Sequence, residues 1–153
     1  MKSRAILEAE INSRYSERFE KFGPTAKGVF WASTARQEKR FDLILKEIQK
    51  ISRNDIVLEI ADIGCGYGSF ADYLNRNHNK IKFNYEGFDI NPKFIKHCRS
   101  KFSKENLRFK IDSKPSSKKD FVTMSGTYNL ATTKNVSLWE QSVSYTHLTL
   151  PTT

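Results

Sequence analysis

Cysteine is scarce in this 153-residue chain, with only Cys65 and Cys98 present. Two thiols cannot build a disulfide framework, and no Cys/His group has the spacing of zinc ligands, so no metal site is expected. No apolar run approaches the roughly 20 residues that cross a bilayer, and the polar start Met1-Lys2-Ser3-Arg4 leads into no signal-peptide core. With 7 Gly and 4 Pro the chain is neither collagen-like nor low in complexity. Long runs of like charge are missing as well. Lys and Arg number 26 against 17 Asp and Glu, a net charge of +9, yet the charges are spread along the chain. The densest basic spot, Lys114 to Lys119, lies in a Ser/Pro-rich stretch with no interleaved aromatics. That distribution argues against a dedicated nucleic-acid surface. A hydrophobic content of 38% suffices for one buried core. The expectation is a soluble, cytoplasmic protein whose thiols stay reduced.

Periodicity divides the chain into two styles. Up to about residue 50 it reads as helical. Ala5, Ile6, Ala9 and Ile11 recur near helical spacing, and Phe19, Phe22, Gly23-Pro24 and Gly28 then interrupt the pattern. A second helix is expected from Ser33, with Ser33 or Thr34 as cap and Phe41, Ile44, Leu45 and Ile48 as a stripe that packs on a sheet. From Asp55 the period changes. Ile56 to Ile63 is nearly continuous apolar chain, the pattern of a strand buried on both faces. Gly64-Cys65-Gly66-Tyr67-Gly68 breaks it, and a helix resumes at Ser69 to Leu74, closed by Asn77 to Lys80. A second strand over Phe83–Ile90 ends at Asn91-Pro92, and Phe94, Ile95 and Cys98 open another helical face. Leu107–Ile111 and Phe121–Met124 read as third and fourth strands. Strands alternating with helices imply a parallel sheet, and the fold class is α/β.

The strand, glycine loop and helix around Gly64–Gly68 carry the chemistry. Glycines let backbone turn sharply and approach a ligand, and the helix start that follows offers unpaired N–H donors. Asp89 ends the next strand, where a carboxylate can accept from both hydroxyls of a ribose. A tight turn beside a solvated acid remains the bland alternative. A nicotinamide or flavin site wants G-x-G-x-x-G, whereas this loop is G-x-G-x-G, one residue short.

Through Ala61-Asp62-Ile63-Gly64-Cys65-Gly66-Tyr67-Gly68, Gly87-Phe88-Asp89-Ile90-Asn91-Pro92 and Asp120 to Gly126, the chain resembles the class I S-adenosylmethionine-dependent methyltransferases over about residues 55–130. The resemblance implies a Rossmann-like three-layer sandwich with S-adenosyl-L-methionine as cofactor. Asp62 would orient the loop near the methionine amino group, while Gly64, Cys65, Gly66 and Gly68 would line the cofactor. Asp89 would hold the ribose diol and Ile90 the adenine face. Asp112 would take the adenine amino group, and Ser125 and Gly126 would border the methyl donor. Residues 1–50 would form a helical lid, with Tyr15, Phe19, Trp31, Arg36 and Arg40 as its candidate contacts. His78 and His97 read as surface residues.

The acceptor is the open question. Ser125-Gly126-Thr127-Tyr128-Asn129 departs from the Asn-Pro-Pro-Tyr-like turn of exocyclic-amine and glutamine methyltransferases, so a small-molecule or saccharide-type acceptor is expected. No base can be named, and burial of Tyr128 in the sheet edge is its expected fate. A non-catalytic nucleotide-binding or interaction module and an RNA methyltransferase stand as alternatives. The tail 142–153 carries no formal charge and back-translates into a transposase-type sequencing adapter. Residues 51–141 are therefore expected to be a partial cofactor domain, the first four strands of a longer sheet, followed by a non-native tail.

Overall fold

In the computed structural model, residues 4–77 and 79–126 are described. The element order is α1 (Arg4–Phe22), a 3₁₀ turn (Ala26–Val29), α2 (Thr34–Ile51), β1 (Leu58–Ile63), α3 (Ser69–Arg76), β2 (Phe83–Asp89), α4 (Pro92–Lys101), β3 (Leu107–Ile111) and β4 (Phe121–Thr123). All strand pairs are parallel, in the order β3-β2-β1-β4. The expected α/β class is therefore present, and among the described residues no helix is long and apolar enough to cross a membrane.

Each crossover returns the chain to the same end of the sheet, so the strands share one direction and need helices on their faces. One face of the sheet presents Leu58 and Ile60 from β1, Phe83 and Tyr85 from β2, and Leu107 and Phe109 from β3. They join Phe41, Leu45 and Ile48 of α2, Phe70, Tyr73 and Leu74 of α3, and Ile95 and Cys98 of α4 in one cluster. Ser33 caps α2 by accepting from the Arg36 N–H, and Asn91 caps α4 by accepting from the Lys93 N–H, with Pro92 opening that helix. The other face is charged as well as apolar. Lys119 reaches Glu86 at 2.8 Å and Glu59 at 3.5 Å, and Lys110 reaches Glu86 at 3.0 Å.

The structure departs from the periodicity in four places. The first strand begins at Leu58, and Ile56 and Val57 stand 38% and 50% exposed, because pairing with β2 starts at Leu58↔Phe83. The second strand ends at Asp89 and the fourth at Thr123, each one residue early. The largest correction is in α1, which continues through Phe19 and Phe22. Leu7 is buried, and Ile11, Tyr15 and Phe19 are half-buried below it, while Ala5, Ile6 and Ala9 face solvent. Aromatic rings at i+4 spacing outweigh the smaller alanine-rich stripe, since they bury more apolar area per position.

Candidate functional site

Parallel strands deliver their carboxyl ends to one end of the sheet, and the cofactor-binding candidates among the described residues follow those strand ends. Gly64, Gly66 and Gly68 adopt φ of 72°, 55° and 84°, so the chain leaves β1 through left-handed backbone that suits glycine. The Gly64 and Cys65 N–H groups both donate to the Phe88 carbonyl, at 2.7 and 3.0 Å. Gly66 N–H donates to Asp89 Oδ2 at 2.9 Å, and Gly68 N–H to the Cys65 carbonyl at 3.1 Å. Four donors that a phosphate would need are thus spent inside the protein. The loop extends the β1–β2 ladder instead of forming an open nest for an anion.

Two carboxylates flank this loop, Asp62 buried and Asp89 half-buried. Asp62 is 3% exposed, and its Oδ2 accepts from the Tyr85 hydroxyl at 2.7 Å. Burial pushes its carboxyl up to about 7; the Tyr85 hydrogen bond opposes that rise, and the charge on Asp89 adds to it. Asp89 Oδ1 accepts from the Asn91 N–H at 2.9 Å, completing the grip begun at Gly66. Burial raises Asp89 to about 6 against the backbone N–H groups of Asn91, Gly66 and Ile90, which favour the anion. The Tyr15 phenol, raised to about 12 by burial and by the Asp89 charge, brings α1 over the same corner.

The remaining candidates take their places around these two. Asp112 is exposed just past β3, with its N–H donating to the Asp89 carbonyl at 3.2 Å. Ile90 is half-buried and follows Asp89 directly. Ser125 and Gly126 follow β4, the other neighbour of β1, and the Ser125 Oγ is buried with no hydrogen-bond partner among the described residues. Cys65 lies beneath the loop against β2, where a Cβ at Gly87 would meet its Sγ at 2.9 Å. Cys98 Sγ approaches the Gly66 carbonyl at 3.3 Å from α4. Among the described residues no group of three His, Cys, Asp or Glu could hold a metal ion.

Residues 60–145, more than half of the chain, match the family described as methyltransferase domain. The chain belongs to the methyltransferase domain family. Rv1506c of Mycobacterium tuberculosis, named as a candidate methyltransferase, is 31% identical over 72 residues, which are 46% of this chain and 42% of that protein. The cyclopropane synthase MmaA2 from Mycobacterium tuberculosis matches with 18% identity and a TM-score of 0.42, over 57% of this chain and 30% of its own. An S-adenosylmethionine-dependent methyltransferase from Mesorhizobium loti matches with 17% identity and a TM-score of 0.41, over 67% of this chain and 46% of its own. The chain thus spans less than half the length of each of these relatives.

Around this methyltransferase domain's strand ends lie contacts that periodicity did not reveal. Asn91 is 1% exposed, and its Nδ2 donates to Ser16 Oγ at 3.0 Å and to the Asn12 carbonyl at 3.4 Å, tying α1 to the start of α4. Gln37, 3% exposed, bonds both Tyr67 and Ser69. Of the lid candidates, Tyr15 packs edge-on against Phe30 and Phe94, and Phe19 against Phe94 and His97. Arg36 and Arg40 are exposed, with Arg40 over the Trp31 ring. His97 is half-buried, with the Phe19 ring against it and its Nε2 buried without a partner among the described residues. His78, Tyr128, Asn129 and the tail 142–153 lie outside the described residues.

Proposed function

We propose that this chain carries the cofactor site of an S-adenosyl-L-methionine-dependent methyltransferase acting on a small-molecule or saccharide-type acceptor. The observation that carries the reading is the pairing of two carboxylates, buried Asp62 and half-buried Asp89, with a glycine loop that spends four of its N–H donors internally. Such a corner is acidic and poor in free N–H groups. It favours a ligand bearing sulfonium and ammonium charge, and it disfavours the pyrophosphate of a dinucleotide. The partnerless Ser125 Oγ fits a missing polar neighbour at the same edge.

In this reading Asp89 accepts from the ribose hydroxyls and Ile90 covers the adenine, with Asp112 at its amino group. Asp62 faces the methionine ammonium, Gly64, Cys65, Gly66 and Gly68 form the floor, and Ser125 and Gly126 stand beside the methyl group. The cofactor supplies an electrophilic methyl on a positively charged sulfur. What the protein adds is alignment and exclusion of water. The helices before β1 close the adenosine side through Tyr15, Asn12 and Ser16.

Calorimetry on the 153-residue chain tests this. S-adenosylmethionine should bind, and Asp89→Ala should weaken the affinity at least tenfold. Binding of a nicotinamide dinucleotide in preference to S-adenosylmethionine would favour the non-catalytic nucleotide module, and absence of S-adenosylmethionine binding would refute the proposal. Salt-sensitive binding of RNA would instead support the RNA methyltransferase alternative.

A further inference from the structure

The buried side of α2 is Gln37, Phe41, Leu45 and Ile48, a single stripe whose first position is polar. Burying an amide there costs free energy unless it is fully bonded, and its partners show where the bonds go. The Tyr67 hydroxyl donates to Gln37 Oε1 at 3.1 Å, and Gln37 Nε2 donates to Ser69 Oγ at 3.0 Å. Tyr67 is the only non-glycine residue between Gly66 and Gly68, and Ser69 is the first residue of α3. One carboxamide therefore grips the loop on both sides of Gly68. A second contact comes from the same segment: Val29 of the 3₁₀ turn lies where a Cβ at Gly66 would meet its Cγ1 at 3.4 Å. On the opposite side, Cys98 approaches the Gly66 carbonyl, and Phe102 and Cys98 close on Gly68.

We propose that Gln37 is a positioning residue for the cofactor loop, setting its tip through Tyr67 and Ser69 so that docking of α2 and the shape of the loop form one equilibrium. This inference rests on the cofactor reading above. The left-handed residues Gly66 and Gly68 are conformationally permissive, and the loop needs an external restraint to hold one shape. α2 is fixed to the sheet core by Phe41, Leu45 and Ile48, so its first turn is a rigid point from which to apply that restraint. A ligand that needs the ordered tip then binds with an affinity that depends on Gln37 without touching it.

The test uses Gln37→Leu, which keeps the volume and removes both bonds, together with Tyr67→Phe and the double variant. Ile48→Val, at the far end of the same stripe, controls for simple loss of stability. S-adenosylmethionine affinity should fall about three- to tenfold in each of the two loop variants, with the double variant losing about as much as the worse of the two single variants. Gln37→Glu, which can accept from both hydroxyls, should restore most of the affinity, and Ile48→Val should bind like the unaltered chain. Equal affinity in Gln37→Leu and the unaltered chain, or a loss matched by Ile48→Val, would overturn the proposal. If the unaltered chain binds no S-adenosylmethionine, the cofactor reading fails. Hydrogen exchange of the amides of residues 66–69 then decides the role of Gln37 alone: faster exchange in Gln37→Leu than in Ile48→Val supports it, and unchanged exchange overturns it.

Discussion

Tyr85 and Asp62 show how much one hydroxyl governs at this corner. The phenol is fully buried and donates to Asp62 at 2.7 Å, a bond that in turn favours the carboxylate over the acid. Tyr85→Phe removes that bond without changing the ring. The Asp62 carboxyl should then rise further above its ordinary range, and the fold should lose ~1–2 kcal/mol at neutral pH. Carbon-13 shifts of the Asp62 carboxyl through a pH titration would read the first effect, and urea unfolding the second. A titration midpoint that does not move in the variant would count against this account. Asp62 and Asp89 were legible in the sequence because the motif spacing put both at strand ends. Tyr85 was not, since an aromatic in an apolar strand reads as core, and its hydroxyl acquires meaning only from the residue across the ladder.

At the scale of elements, the glycine loop is held by the helices around it as much as by its own backbone. Gly68 sits at φ 84°, and a Cβ there would meet Phe102 Cε2 at 2.6 Å and Cys98 Sγ at 3.1 Å. Gly68→Ala combines an unfavourable backbone region with overpacking against α4, so a loss of ~2–4 kcal/mol is expected in chemical denaturation. A loss under ~1 kcal/mol would show that α4 yields easily. The pattern of strands and helices was readable because period and breakers agreed from Leu58 onward. The face of α1 was misread for a physical reason. Its alanines and Ile6 lie on a helical stripe, yet the rings of Tyr15 and Phe19 have partners in Phe30, Phe94 and His97, and those contacts decide which side turns inward. Gln37 escaped notice for a similar reason, as a polar residue one turn before an apolar stripe reads as solvated.

The charged sheet face links elements across the whole molecule. Lys119, whose side chain is 5% exposed, joins Glu86 of β2 and Glu59 of β1 just before β4 begins, and Lys110 of β3 completes the span. Burial would raise Glu86, but hydrogen bonds from Lys119 and Lys110 outweigh it and hold the carboxyl below its ordinary value. That group contributes stability above the usual carboxylate range, and the contribution is lost as pH falls through its lowered value. Asp62 and Asp89 act with the opposite sign. Both are raised, to about 7 and about 6, so the folded chain holds their protons where the unfolded chain has released them. Their contribution is fully present below the ordinary carboxylate value of 3.8 and disappears as pH rises through 6 and 7. The ligand-free protein should therefore melt higher near pH 5.5 than near pH 7.5. If Asp62 and Asp89 face the cofactor as proposed, binding needs both ionised, so affinity for S-adenosylmethionine should weaken as pH falls from about 7.5 to 5.5, by up to about tenfold per pH unit for each group that must give up a proton. Melting curves with and without the cofactor at both pH values separate the two effects. The stabilisation by cofactor should be the larger near pH 7.5, while the ligand-free melting point moves the other way. A ligand-induced shift that is equal at both pH values would mean that these carboxylates do not face the bound cation, and it would remove the electrostatic basis for preferring a sulfonium over a phosphate at this loop.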